Sequence, residues 1–131
     1  MLKKEITYTD YNGVERKEDF YFNLSKAELA EMQMSVDGGL TTMLERIVKS
    51  QNVPEIMKLF KEIILKSYGV KSDDGKRFMK SEELSNNFEQ SEAYSELFME
   101  CMSNPDKASE FITGIIPSAL AQQVKAQATN V

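Results

Sequence analysis

The sequence predicts an α+β fold, an N-terminal β-hairpin packed on a bundle of about five to six helices. Three observations predict it. Residues 2–22 are rich in β-formers on either side of Asp10-Tyr11-Asn12-Gly13, a hairpin turn sequence. From Leu24 onward the apolar residues change to helical spacing, with capping residues before each run. The 131 residues hold 41% hydrophobic and 28% charged side chains, the balance of a folded globular chain. The predicted organisation is one α+β domain over 1–117 (hairpin 2–22, helical body 25–116), with 118–131 as a C-terminal helix or frayed tail.

The hairpin register follows from its apolar pattern. A two-residue Asn-Gly loop would place Ile6 opposite Asp19 and Phe20 opposite Glu5. A three-residue loop, Tyr11-Asn12-Gly13, pairs Asp10 with Val14. It sets Leu2, Ile6, Tyr8, Val14, Phe20 and Phe22 on one face. A slip of one residue destroys that face, so the three-residue loop is expected, with Gly13 left-handed in a bulge. Two strands are not stable alone, so the face covers helices or pairs with another chain. Ile6, Tyr8, Phe20 and Phe22 are therefore candidate self-association residues.

Leu24-Ser25-Lys26-Ala27-Glu28-Leu29 starts the first helix with a Ser25–Glu28 capping box and a Leu24–Leu29 staple. It runs to about Ser35, before Asp37-Gly38-Gly39. A second helix is expected over 41–50, with Met43, Leu44, Ile47 and Val48 as its apolar set. A third starts at Pro54 and ends near Tyr68, with Gly69 as its cap. Its stripe is Ile56, Leu59, Phe60, Ile63 and Ile64, widened by Met57 and Leu65, which marks the central helix. Residues 69–80 suit a small hairpin anchored by Val70 and Phe78. Ser81 caps a fourth helix near 82–89. Ser91 starts a fifth, ending near Met102, in which Tyr94, Leu97, Phe98, Cys101 and Met102 match the amphipathic template. Asn104-Pro105 starts a sixth, with Phe111 and Ile112 inward and Gly114 as its stop.

The same counts exclude chemistry. There is no histidine, hence no His-activated nucleophile and no His-ligated zinc. The single cysteine, Cys101, allows no intrachain disulfide, suits a reducing compartment and reads as a buried, inert thiol. Asp73-Asp74-Gly75 lacks the alternating acids of a calcium loop and reads as a turn. Gly38-Gly39 lacks the spacing of a phosphate loop. A carboxylate enzyme such as a glycoside hydrolase needs two facing acids, whereas these acids fall on presumed exposed helix faces. No catalytic residue, cofactor or metal is expected. A net charge of −5 opposes nucleic-acid binding. The N-terminus has no apolar run of signal-peptide length, and no apolar stretch approaches the roughly 20 residues of a membrane helix.

Two features suggest a protein partner instead. Between Glu82 and Glu110 lie eight acids against Lys107 alone, with Glu92, Glu96 and Glu100 repeating every four residues. Like charges at that spacing cost an isolated helix roughly 0.2–0.5 kcal/mol per pair, so the stripe is either a solvated face or one built for a basic partner. The chain also has eight methionines, which fill cores or form adaptable apolar surfaces. Met43 and Met57 read as core; Met32, Met34, Met99 and Met102 are open between the two.

The order of segments carries a resemblance. It runs through Ile6-Thr7-Tyr8-Thr9-Asp10, Gly13-Val14-Glu15-Arg16 and Glu18-Asp19-Phe20-Tyr21-Phe22-Asn23-Leu24. It continues through Gly38-Gly39, Pro54-Glu55, Leu59-Phe60-Lys61, Tyr68-Gly69, the stretch from Lys71 to Phe78, Ala93-Tyr94-Ser95-Glu96-Leu97-Phe98 and Gly114-Ile115-Ile116-Pro117. Over roughly residues 5 to 117 this resembles the tail assembly chaperones of siphophages and related prophages. The signal lies in order and spacing rather than in one motif.

The resemblance implies a non-enzymatic factor of the host cytoplasm, absent from the mature virion, that binds and solubilises the tape measure protein and promotes tail tube assembly around it. It implies a homo-oligomer and, in many members, a longer form made by programmed frameshifting that recruits the tail tube protein; this chain looks like the short form. The candidate partner-binding residues are Glu92, Glu96, Glu100, Met99, Met102, Phe111, Ile115 and Ile116. The competing readings are a small phage or bacterial protein-binding regulator and a minor structural tail protein.

Overall fold

A computed structural model describes residues 1–35 and 53–116. Strands β1 (Leu2–Thr9) and β2 (Glu15–Phe22) form the expected antiparallel hairpin. The register is Leu2↔Phe22 through Thr9↔Glu15, that of the three-residue loop. Gly13 sits at φ 79°, and Asp10 closes the turn by accepting from Gly13 N–H at 2.9 Å and donating to the Val14 carbonyl at 2.9 Å. The Asp10 carboxylate caps the loop further, accepting from Asn12 N–H, Val14 N–H and Arg16 Nε. Arg16 and these amides hold its carboxyl below the ordinary range. Ile6 and Phe22 are buried, with Leu2, Tyr8 and Phe20 half-buried on the same face. Val14 is a correction: it lies beyond the helical body and is half exposed.

Helix α1 (Lys26–Ser35) begins at the predicted capping box, with Ser25 N–H donating to Glu28 and Glu28 N–H to Ser25 Oγ. Lys80 Nζ joins it, donating to Glu28 Oε2 at 2.5 Å and to the Asn23 carbonyl at 2.6 Å. Burial pushes the Glu28 carboxyl up, but Lys80 and Ser25 outweigh it and hold it below its usual range. The expected helix over 41–50 and the tail 118–131 lie outside the described residues, as do the side chains of Met32, Met34 and Met43.

Helix α2 (Val53–Ser67) buries Phe60, Ile63, Ile64 and Ser67, the stripe its spacing predicts. Met57 is not core; it sits on the outer side, 41% exposed. Gly69 is not a helix cap either. The chain passes from Ser67 directly into β3 (Tyr68–Lys71), where Gly69 pairs with Tyr21. A Cβ on Gly69 would lie 2.6 Å from Phe78 Cε2 and 2.8 Å from the Met79 carbonyl. The glycine answers a close approach, not a left-handed φ. β4 (Phe78–Met79) completes the predicted small hairpin and a four-stranded sheet in the order β1-β2-β3-β4.

Helices α3 (Glu82–Glu89), α4 (Glu92–Ser103) and α5 (Pro105–Ile115) start at Ser81, Ser91 and Asn104, each cap accepting from backbone N–H groups of the first turn. Gly114 does not stop α5, which continues to Ile115. It faces Leu2, whose Cδ1 lies where a Cβ would come within 2.9 Å. The end of α5 is tied to the hairpin by Leu24 N–H donating to the Ile115 carbonyl at 2.7 Å. The core between sheet and helices is aromatic. Phe88 stacks on Tyr68 at 4.3 Å, and Phe22 meets Phe111 edge-on at 5.2 Å.

Candidate functional site

Three places bear on partner binding: the acidic helix α4, the late apolar cluster of α5, and the hairpin with its junction to β3.

On α4 the acidic repeat is divided. Glu100 accepts from Lys4 Nζ at 3.0 Å, and the carboxylate of Glu92 lies near enough to the Tyr11 hydroxyl to raise its pKa. Lys4 lies near the start of β1 and Tyr11 past its end, so α4 runs antiparallel to β1, with Glu100 and Glu92 beside opposite ends of the hairpin. Elsewhere in the acidic segment Glu89 pairs with Lys61 at 2.8 Å and Glu110 with Lys107 at 3.7 Å. The local excess of acid is thus partly answered by Lys4 and Lys61, both distant in sequence, and by Lys107 within α5. Glu96 remains exposed with no partner among the described residues, and Met99, one turn on, is 58% exposed. Met102 is half-buried against the core.

The structure places the α5 cluster, expected to bind a partner, within the chain's own core. Phe111, Ile115 and Ile116 are 3%, 0% and 4% exposed, packed with Phe22, Leu24 and Phe60. An apolar stripe read from sequence does not reveal whether the chain covers it, and here the hairpin does. The same holds for Ile6 and Phe22 as self-association residues. Both belong to the chain's own core, while Tyr8 and Phe20 pack half-buried against it.

Cys101 is buried beneath a small cavity of about 60 Å³ at the α4–α5 junction. Burial pushes its thiol up to about 11, with Glu100 adding to the rise and Lys4 opposing it. Essentially no thiolate exists at neutral pH. Ellman's reagent at pH 8 is expected to label the native chain only slowly and the denatured chain at once; immediate labelling of the native chain would refute this placement.

No pattern of residues announces the third place. β2 pairs with β3 only at Tyr21↔Gly69 and Phe22↔Tyr68. Past that point the strands part, and an open notch of about 300 Å³ lies among Glu18, Asp19, Phe20, Tyr68, Val70 and Lys71. Lys71 Nζ rests 5.6 Å from the Tyr21 ring centre.

Among the described residues no three metal-ligating side chains gather, and no helix is long and apolar enough to cross a membrane. The arrangement offers strand edges, an exposed methionine and an unpaired acid: means of holding another polypeptide. A family model described as phage tail assembly chaperone matches residues 1–131. No curated protein and no solved structure matches the chain.

Proposed function

The chain belongs to the phage tail assembly chaperone family, and from that premise we propose that it keeps the tape measure protein soluble in the host cytoplasm while the tail tube is built around it. The family is defined by an assembly role rather than by a reaction. The observation that carries this reading is the family match along the whole length of the chain. In this reading the chain is absent from the finished virion, acts in several copies, and reaches the tail tube protein through a frameshifted longer form. Ile6 and Phe22 are occupied by the core, so self-association falls to the outer edge of β1.

For the client surface we assign the outer side of α4. Met99 offers an exposed, adaptable apolar contact and Glu96 an unpaired negative charge one turn away. Together they suit a helix carrying an apolar anchor beside a basic residue. Glu92 and Glu100 serve this surface indirectly, by seating the hairpin on α4.

Co-expression with tape measure fragments tests the reading. The native chain should raise the soluble fraction of the client. A Glu96→Lys, Met99→Lys variant, both changes on exposed positions, should keep its melting temperature and lose most of that effect. Equal solubilisation by the variant would place the client elsewhere, and no effect of the native chain would remove the tape measure protein as client.

A further inference from the structure

We infer that the free edge of β2 is a strand-addition site, taking an extended client segment with a basic–x–acidic pattern antiparallel to Glu15–Asp19. The inference rests on the chaperone reading for calling the occupant a client.

The backbone sets the geometry. Antiparallel ladders alternate between residues that bond to one neighbour and residues that face the other. Asp10 N–H donates to the Val14 carbonyl, so even-numbered residues of β2 bond to β1. Asn23 N–H donates to the Ser67 carbonyl, so odd-numbered residues face β3. β3 pairs only as far as Tyr21, however. Lys17 and Asp19 therefore present their N–H and carbonyl groups along an edge that no described strand occupies, and all five residues from Glu15 to Asp19 are exposed. At the inner end of this edge the notch supplies room, with Phe20, Tyr68 and Val70 as an apolar floor.

The side chains set the selectivity. On its paired edge β2 already draws opposite charges, with Lys3–Asp19 at 3.6 Å and Lys17–Glu5 at 3.4 Å. A strand on the free edge meets the same Asp19 and Lys17. It fits with a basic residue opposite Asp19, an acidic one opposite Lys17, and an apolar residue entering the notch. A charged edge of this kind repels indiscriminate apolar strands, which distinguishes a selective site from an aggregation template. A second copy is disfavoured as occupant. Adding its β1 to this edge would put both helical bodies on the same side of one continuous sheet, with hairpins only about 10 Å apart.

The probe is an acetylated, fluorescent octapeptide with the sequence of Leu2–Thr9, which carries the required pattern, titrated into the full chain and followed by anisotropy and amide exchange. Binding should protect the Lys17 and Asp19 amides. A charge-inverted peptide (Lys and Glu exchanged) should bind about tenfold more weakly, since two cross-strand pairs turn repulsive. Lys17→Pro removes an edge N–H outside the β1–β2 ladder and should abolish binding with unchanged circular dichroism. The Lys17→Glu, Asp19→Lys chain should prefer the inverted peptide.

Absence of binding, equal binding of both peptides, or protection mapped elsewhere would overturn the site. So would loss of self-association in Lys17→Pro, which would make a second copy the occupant. Co-expression readings separate the two proposals: client solubilisation without peptide binding removes this site and leaves the chaperone reading, and the reverse result removes the chaperone reading.

Discussion

Phe88→Ala is expected to lower the free energy of unfolding by about 3–5 kcal/mol, the range for an aromatic removed from a packed core. Phe88 is almost fully buried on a helix whose only other apolar residue is Leu84. Its ring stacks on Tyr68 at 4.3 Å and meets Phe20 at 5.4 Å, Phe22 at 5.6 Å and Tyr94 at 5.8 Å. It therefore joins α3 to β2, β3 and α4 at once. Removing it leaves a void bounded by four rings on three separate elements, which limits how far the site can collapse. Aromatic pairing adds to the lost burial. Urea unfolding by tyrosine fluorescence measures the loss. Phe88→Leu should cost distinctly less, because it restores much of the volume. A loss below about 1 kcal/mol for Phe88→Ala would mean that the aromatic cluster is not the centre of the core.

Gly69→Ala is the second large effect, expected at about 1–3 kcal/mol by overpacking. The added methyl meets the Phe78 ring at 2.6 Å and the Met79 carbonyl at 2.8 Å. The ring can turn aside, but the carbonyl belongs to the β3–β4 backbone and cannot move without opening that pair. Gly69 also sits at the last pairing between β2 and β3. Amide exchange should therefore accelerate locally in β3 and β4, alongside the lower urea midpoint. Unchanged stability would show that this end of the sheet is looser than its contacts imply.

The contrast between these two residues and the hairpin shows what a sequence can disclose. The register of β1 and β2 was legible because a one-residue slip sends the apolar side chains of the two strands to opposite faces. The caps at Ser25, Ser81, Ser91 and Asn104 were legible because each acts within three residues of itself. Gly69 was misread because a glycine after an apolar helix has the local signature of a cap, while its actual role comes from Phe78 and Met79 packed over it. Phe88 passed unnoticed in Ser-Asn-Asn-Phe-Glu, where no stripe announces it; Leu84 one turn earlier is the only hint. The residues proposed for the client surface were partly legible. Phe111, Ile115 and Ile116 read as a free apolar cluster, and only tertiary structure shows them beneath the hairpin. Glu100 reads as unbalanced because its partner, Lys4, lies on the distant hairpin.

The central claim is that the chain holds its client on the outer side of α4. A photo-crosslinking amino acid placed at position 99 in the full chain, co-expressed with the tape measure protein and irradiated in the cell, tests it most directly. Position 76, in the exposed β3–β4 turn, serves as the control. A crosslinked product of chain plus tape measure protein is expected from position 99 and none from position 76. No product from position 99, or equal products from both positions, would contradict it.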